Sequence, residues 1–484
     1  MMPITTTAAA VALSAFAIVN HDQTALRAAP RESAPQQSVL WQGDALEIRG
    51  ARMDYLQVYD HRRERAGFVL ASQVRTTSAL PTEAAELMSV LRFVRDTPGA
   101  EALGVGYAAA YLKAVPAAAM TAEPLDALGT LADRLALRAS SRQPPASAAA
   151  LAAHLDVVAG YGVVMKSYEQ DGVMRICYDG DAFRRVLAMA TSTPEQRARA
   201  ALGLTRHDCV DPALQPQARF EFDRWRADVL DRMDTSALPE TLKNRLHLRR
   251  AGVWSALAFA HARRLDAEPE AARAAAERAL HELAAVNKAE LSDDDQAEHT
   301  QAAIRTGASR WAAEPLGAAS ARLAVATVPG QPGETCVLLT DARHGADSPL
   351  LRRCTWGVVW AASASASANG DVLALAVQPL AGWRELWIFR RGGGGWSVDV
   401  LPPAPATSSL GSDLGCVEFA GWVPGGERVL LARESRVDGR FRRSFEVVNL
   451  ATMAVEKQAS TPALLVLFGR WQDARWKQQT VSLR

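Results

Sequence analysis

The chain has 484 residues, of which 22% are charged and 49% hydrophobic, and its formal net charge is +1. This is the balance of an ordinary globular protein, and the length favours two to four domains. Because the sequence carries no basic surplus, we expect no nucleic-acid partner, and the missing acidic surplus excludes an acidic solvating tail.

The N-terminal segment MMPITTTAAAVALSAFAIVN contains an apolar run over 8–19 that is too short to span a bilayer. The run suits the core of a signal peptide, and an A-x-A cleavage pattern ends at Ala17. We therefore expect 1–17 to be a signal peptide, the mature chain to begin near Ile18, and the protein to be periplasmic or secreted without a transmembrane span. The alternatives are a buried first strand or a flexible start, with a cytoplasmic location.

Residues 18–77 are predicted to form a small β domain. Turn residues separate three short runs, at Gly50, Asp60 and Gly67. Apolar side chains at alternate positions of a run are typical of strands with one buried face. In these runs they are Leu46, Ile48, Leu56, Val58 and Val69.

Residues 24–77 resemble a bacterial SH3-like (SH3b) domain, on the segments ALRAAP, SVLWQGDALEIRG, DYLQV and AGFVLASQV. In the same order, these segments are similar to the family's first motif LNVR-x-x-P, to its G-x-x-L turn with the hydrophobic strand that follows, to its aromatic-x-x-V strand, and to its final GWV motif. Phe68 stands where the family usually has Trp. The resemblance implies a five- to six-stranded barrel that binds peptides or cell-wall fragments. It makes Trp41, Tyr55, Tyr59 and Phe68 candidates for an aromatic groove; the alternative is that these rings pack the barrel or the neighbouring helices.

The region 82–314 is predicted to be a mostly helical domain. One predicted helix places apolar residues on a single face at 3.6 residues per turn, and another begins at Ser292, with Asp295 in a capping-box-like position. A β-hairpin near 163–178 interrupts the helices around Asp171-Gly172, a strong turn signal. The apolar face of the first helix comprises Leu242, Leu246, Val253, Leu257 and Ala260.

None of the five cysteines lies in a C-x-x-C motif, so the sequence indicates neither a zinc site nor a redox pair. In an exported protein we expect two disulfides, Cys177–Cys209 and Cys336–Cys354, each closing a loop inside one predicted domain. Cys416 is then left over and is expected to be buried. The alternative is five reduced thiols in a cytoplasmic protein.

The region 316–484 is predicted to be an antiparallel β-repeat domain. Strands and their partners recur as ARLAVATV with ETCVLLTD, DVLALAVQ with RELWIFRR, and RVLLARES with RSFEVVNL. We expect a last hairpin from LLVLFGRW and KQQTVSLR. The segment GWVPGGERVLLA resembles the W-x-P-x-G turn of WD40-like propeller repeats, which implies a propeller-like domain of at most four small blades; a sandwich or an open stack of blades is the alternative.

The sequence contains no H-E-x-x-H, G-x-S-x-G or Walker A motif. His207 and Cys209 are close enough in sequence for a thiol–imidazole pair, but a disulfide at Cys209 would exclude it. Asp179 and Asp181 fit turn and helix-cap roles better than a calcium loop. We therefore expect no catalytic residue, no metal and no cofactor.

The expected fold class is multidomain α+β, with an N-terminal SH3-like barrel, a helical middle with one hairpin, and a C-terminal propeller-like domain. We expect a non-enzymatic, exported bacterial binding or scaffold protein whose SH3-like module contacts a peptide, a protein or cell-wall material. One alternative is an envelope hydrolase that uses the barrel as a targeting module. The other is a cytoplasmic interaction scaffold.

Overall fold

The computed structural model describes residues 15–141, 144–170, 173–264, 268–315, 322–404, 414–437 and 439–479. The chain divides into two compact units, Met1–Pro212 and Ala213–Arg484. The division lies inside the segment 82–314 that the sequence analysis treats as one helical domain. Most of the predicted signal peptide and the hairpin turn Asp171-Gly172 lie outside the described residues.

The first unit begins with a seven-stranded antiparallel sheet. Its strands are β1 Phe16–Val19, β2 Thr24–Arg27, β3 Gln36–Leu40, β4 Ala45–Arg52, β5 Tyr55–Asp60, β6 Arg65–Leu70 and β7 Val74–Thr77. They pair in the order β3-β2-β6-β5-β4-β1-β7. The alternating pattern is confirmed, because Leu46, Val58 and Val69 are fully buried in the core of this sheet and Ile48 and Leu56 pack against them.

Strand β1 lies inside the sheet, between β4 and β7. Ala17 is fully buried and pairs with Leu46 on one side and Thr76 on the other. The predicted cleavage point at Ala17 therefore falls within a paired strand that begins two residues before Ile18.

Helices follow the sheet in the first unit. They are α1 Ala84–Arg95, α2 Glu101–Ala114, α3 Glu123–Ser140, α4 Pro145–Gly160, α5 Asp181–Ala188 and α6 Pro194–Leu204. The predicted hairpin is confirmed, with β8 Met165–Gln170 paired to β9 Val173–Tyr178. Capping by Thr193 and Gln196 fixes the start of α6.

Strand β1 joins the sheet to the helices, because Ala17 and Val19 belong to the core of the sheet whereas Ile18 belongs to the apolar cluster of the helices. Gly43 has a φ of +88°, and a Cβ atom there would lie 2.4 Å from the carbonyl oxygen of Ala102 in α2. Only glycine fits this close approach. The Tyr161 hydroxyl then donates to the Gly43 carbonyl oxygen at 2.6 Å.

The second unit begins with four helices, α7 Pro216–Asp231, α8 Glu240–Arg263, α9 Pro269–Ala284 and α10 Asp293–Ser309. Of the predicted apolar face of α8, Leu246, Val253 and Leu257 are buried, and Leu242 and Ala260 are partly buried. Residues on the other sides of α8, such as Leu248 and Ala251, are buried as well, so the helix does not bury a single face. The Ser292 hydroxyl accepts the backbone N–H of Asp295, as the capping pattern predicts.

Two sheets follow in the second unit. Their strands are β10 Ala324–Pro329, β11 Thr335–Thr340, β12 Leu351–Thr355, β13 Val358–Ala366, β14 Val372–Leu380, β15 Trp383–Gly392, β16 Gly395–Leu401, β17 Gly415–Val423, β18 Arg428–Val437, β19 Arg440–Asn449 and β20 Val455–Ala459. The first three form one sheet, and the other eight form a continuous sheet in which β15 pairs with both β16 and β17. The three predicted strand pairs are confirmed as β10–β11, β14–β15 and β18–β19.

The prediction of a final hairpin is wrong. Two short helices occupy this place, α11 Val466–Trp471 and α12 Ala474–Gln479, and 480–484 lie outside the described residues. Leu465 and Phe468, three residues apart, are both buried against the sheet, whereas Leu464 and Val466 are exposed. A spacing of three residues between buried positions is typical of a helical turn, whereas buried positions in a strand alternate.

Candidate functional site

Three of the four predicted groove residues share the outer face of the N-terminal sheet. In β5, Val58 points into the core, so the alternate residues Tyr55 and Tyr59 point outward. In β6, Phe68 pairs with Gln57 and therefore lies on the same outer face. The three rings of Tyr55, Tyr59 and Phe68 are referred to below as the aromatic face.

The aromatic face is a stripe that is open to solvent. Phe68 is diagonal to both tyrosines across the β5–β6 pair, a relation that places such side chains about 7–8 Å apart. Each of the three rings is half-buried, and Gln57 in their midst is exposed. The stripe can therefore present apolar ring surface to a ligand without unfolding the sheet.

Charged groups flank the aromatic face on both sides. Arg27 of β2 pairs with Phe68 at one edge. At the other edge Glu47 of β4 pairs with Tyr59, and the guanidinium of Arg49 lies 4.0 Å from the centre of the Tyr59 ring. A hydrogen bond from His61 at 2.7 Å, and then one from Arg49, lowers the pKa of Glu47.

Trp41, the fourth predicted residue, lies elsewhere in the first unit. Its side chain packs against the apolar cluster of the helices. Its ring meets His154 edge-on, with the centroids 6.3 Å apart. The structure thus keeps Trp41 apart from the aromatic face and gives it a packing contact instead.

Beside Trp41 lies a cleft of about 610 Å³, within the size range of small-molecule sites. Its polar lining comes from loops of the sheet, from the turn that precedes α2, and from α3 and α4. Its polar lining residues are Asp22, Gln42, Thr97, Arg138, Ser147 and His154. We refer to it as the polar cleft; no motif in the sequence marks it, since Asp22 and His154 are 132 positions apart.

A hydrogen-bonded chain forms the floor of the polar cleft. His154 Nε2 lies 2.8 Å from Asp22 Oδ1, and its Nδ1 lies 3.1 Å from Arg138 Nη2. Because a guanidinium has no acceptor, Nδ1 must accept from Arg138 and the ring proton on Nε2 is donated to Asp22. Glu101 completes the chain through ion pairs with Arg138 at 3.0 Å and Arg134 at 2.8 Å.

This chain orders the cleft. Both nitrogens of His154 are engaged in hydrogen bonds, which fix the orientation of its ring. Glu101 is 1% exposed and is held between two arginines. The arrangement ties the turn that contains Asp22 to α2, α3 and α4.

The cysteines form the two predicted disulfides, Cys177–Cys209 and Cys336–Cys354, and Cys416 is free and buried. The bond at Cys209 removes the thiol that a pair with His207 would need. Among the described residues, one group has the spacing of a metal site, made by Glu334 beside Cys336 and Cys354. Its two sulfurs are joined to each other, which leaves no thiolate to bind a metal.

Searches of family models, of curated proteins and of solved structures find no match to this chain. Within the described residues, no helix combines the length and the apolar character needed to cross a membrane.

Proposed function

We propose that the chain is a non-enzymatic binding protein of the bacterial envelope whose N-terminal module contacts peptide or cell-wall material. The observation that carries the proposal is the aromatic face, where Tyr55, Tyr59 and Phe68 line one outward side of two neighbouring strands. Aromatic rings give a large contact area for little lost conformational entropy, and they dominate the energetics of many binding surfaces. The resemblance of residues 24–77 to SH3-like domains supports the same ligand class.

The groups around the rings suit a peptide or a peptide-bearing glycan. On one side, Arg27 offers positively charged hydrogen-bond donors. On the other side, Glu47 offers a negatively charged acceptor and Arg49 offers further positively charged donors. Exposed Gln57 offers an amide between the rings. Such a mixed surface fits a chain with a polar backbone and short apolar branches better than it fits a nucleic acid, which needs a basic surplus.

Two disulfides support an extracytoplasmic location, because such bonds persist in oxidising compartments. In this proposal the helical segments act as a spacer or docking array. The propeller-like β-repeats of the second unit serve as a further interaction face.

The test is co-sedimentation of the full-length protein with purified peptidoglycan sacculi, and titration with soluble muropeptides. The Y55S/F68S variant should bind at least ten times more weakly, because it removes two central aromatic contacts. The matched control is F93A, which removes an exposed ring of α1 in the same unit and should bind like the wild type. Unchanged folding of each variant is checked by circular dichroism.

Two outcomes would contradict the proposal. Wild-type protein that binds neither sacculi nor muropeptides would rule out cell-wall material as the ligand. Equal binding by wild type and Y55S/F68S would rule out the aromatic face. Release of soluble fragments from the sacculi would instead favour the hydrolase alternative.

A further inference from the structure

A small, partly open cavity in the second unit is lined by three arginines. It lies among β13, β15, β17, the 3-10 turn Arg310–Ala313 and α12, and its volume is about 130 Å³. Its charged lining residues are Arg310, Arg384, Glu418, Asp473 and Arg475, its aromatic ones are Trp311, Phe419 and Trp476, and we refer to it as the arginine cavity. The Asp473 carboxylate is exposed and accepts the backbone N–H groups of Arg475 and Trp476.

The interior of the arginine cavity carries an excess of positive charge. Arg384 is fully buried and Arg310 is 3% exposed, yet a single buried carboxylate, Glu418, faces both. Glu418 Oε1 lies 2.7 Å from Arg384 Nη2 and 3.4 Å from Arg310 Nε. Its second oxygen accepts the indole N–H of Trp476 at 2.9 Å. One carboxylate thus serves two buried guanidinium groups.

Donors of both buried arginines remain unused. Within the described part of the chain, Arg310 Nη1 and Arg384 Nε are buried and have no hydrogen-bond partner. A buried donor without an acceptor is rare, and a charged one is especially unfavourable. Burial, with the neighbouring charge of Arg384 acting against the attraction of Glu418, lowers the pKa of Arg310. The cavity therefore has the electrostatic character of an anion site.

The remaining walls are aromatic and apolar. The Arg310 guanidinium lies 4.0 Å from the centre of the Trp311 ring, and that of Arg475 lies 5.3 Å from the same ring. Arg475 is 41% exposed and pairs with Glu314 at 3.5 Å, so it stands closer to solvent than the two buried arginines. Leu386 and Val417 supply aliphatic surface.

We propose that the arginine cavity binds a small organic carboxylate. The carboxylate adds a second negative charge beside that of Glu418 and supplies acceptors for Arg310 Nη1 and Arg384 Nε, since guanidinium donors match the planar carboxylate geometry. Its short apolar body lies against the tryptophan rings and the aliphatic side chains. The volume of about 130 Å³ favours a small ligand of the size of propionate or benzoate. The site is separate from the aromatic face and does not depend on the function proposed for it.

The test is isothermal titration of the full-length protein with propionate and benzoate at constant ionic strength, with chloride as the blank and inorganic phosphate as the comparison anion. We expect saturable carboxylate binding and a rise of a few degrees in the melting temperature of the second unit at saturation. Arg310→Met should weaken the binding at least tenfold and abolish that rise. The matched control is Arg390→Met, which removes an arginine that pairs with Asp399 in the same sheet and should bind like the wild type.

A second measurement separates ligand binding from a structural role of Arg310. With no carboxylate present, Arg310→Met removes an uncompensated buried charge, so its melting temperature should equal or exceed that of the wild type. A clear fall in that temperature, together with equal wild-type stability in propionate and chloride, would overturn the proposal. Phosphate binding that exceeds that of both carboxylates would overturn the choice of ligand.

Discussion

The indole ring of Trp41 meets the imidazole ring of His154 edge-on, with the ring centroids 6.3 Å apart. Trp41 follows β3 and His154 lies in α4, so the contact joins the sheet to the helices within the first unit. His154 in turn binds Asp22, which lies in the turn before β2. The pair therefore fixes the strand ends at the cleft, and this packing role explains why Trp41 is not part of the aromatic face.

Removing the His154 ring should destabilise the first unit. In H154A, Asp22 loses a donor and Arg138 loses an acceptor at a site where the histidine is 3% exposed. A loss of about 1–3 kcal/mol in unfolding free energy is expected, measured by urea unfolding followed with circular dichroism. The control H61A removes an exposed histidine and should change that free energy by less than about 0.5 kcal/mol. Equal stability of the two variants would show that the chain of hydrogen bonds contributes little.

Local patterns in the sequence predict the local features well. Alternation at Leu46, Val58 and Val69 predicts the buried face of the sheet, and the spacing of Ser292 and Asp295 predicts a helix start. Both depend on residues within a few positions of each other, where the period of the backbone decides which side chains meet.

The polar cleft and the arginine cavity could not be predicted in this way. His154 meets Asp22 across 132 positions, and Arg310 meets Glu418 across 108. Contacts of this kind depend on how whole helices and strands pack together, and no local sequence pattern encodes that packing. The error at α11 has a related cause, since a short apolar run fits a strand or a buried helical turn equally well until its neighbours are known.

The first residues of β1 should add to the unfolding free energy of the N-terminal sheet. A chain that begins at Ile18 lacks buried Ala17 and the Ala15 carbonyl that accepts from the Ile48 N–H at 2.9 Å. Relative to a chain that begins at Ala15, we expect it to lose at least about 1 kcal/mol, since each strand hydrogen bond contributes about 0.5–1.5 kcal/mol. Guanidinium unfolding of the two truncations measures the difference. Identical midpoints would mean that β1 tolerates a mature start at Ile18.

The cysteines should react in two distinguishable ways, as bonded pairs or as a buried free thiol. Peptide mapping without reductant should find Cys177 joined to Cys209 and Cys336 joined to Cys354. Buried Cys416 should be alkylated only after the protein is unfolded. The C177S/C209S variant should lose about 3–4 kcal/mol, because the bond closes a loop over a separation of 32 residues. Rapid alkylation of Cys209 in the native protein would contradict the disulfide and revive the thiol-enzyme alternative.

Acid should weaken the second unit through His299 of α10. Burial, and to a smaller extent the charge of Lys288, lowers the pKa of His299 below its ordinary value of 6.5. At pH values between 6.5 and the lower pKa of the folded state, the unfolded chain binds a proton at His299 that the folded unit does not bind. The stability of the folded unit therefore falls as the pH drops through this window. Below the window both states are protonated, so His299 causes no further loss of stability. The H299Q variant should flatten this part of a melting-temperature profile measured from pH 7.5 to 5, whereas H281Q, at an exposed histidine of α9, should keep the wild-type slope. A profile for H299Q that matches the wild type would assign the acid sensitivity to other groups.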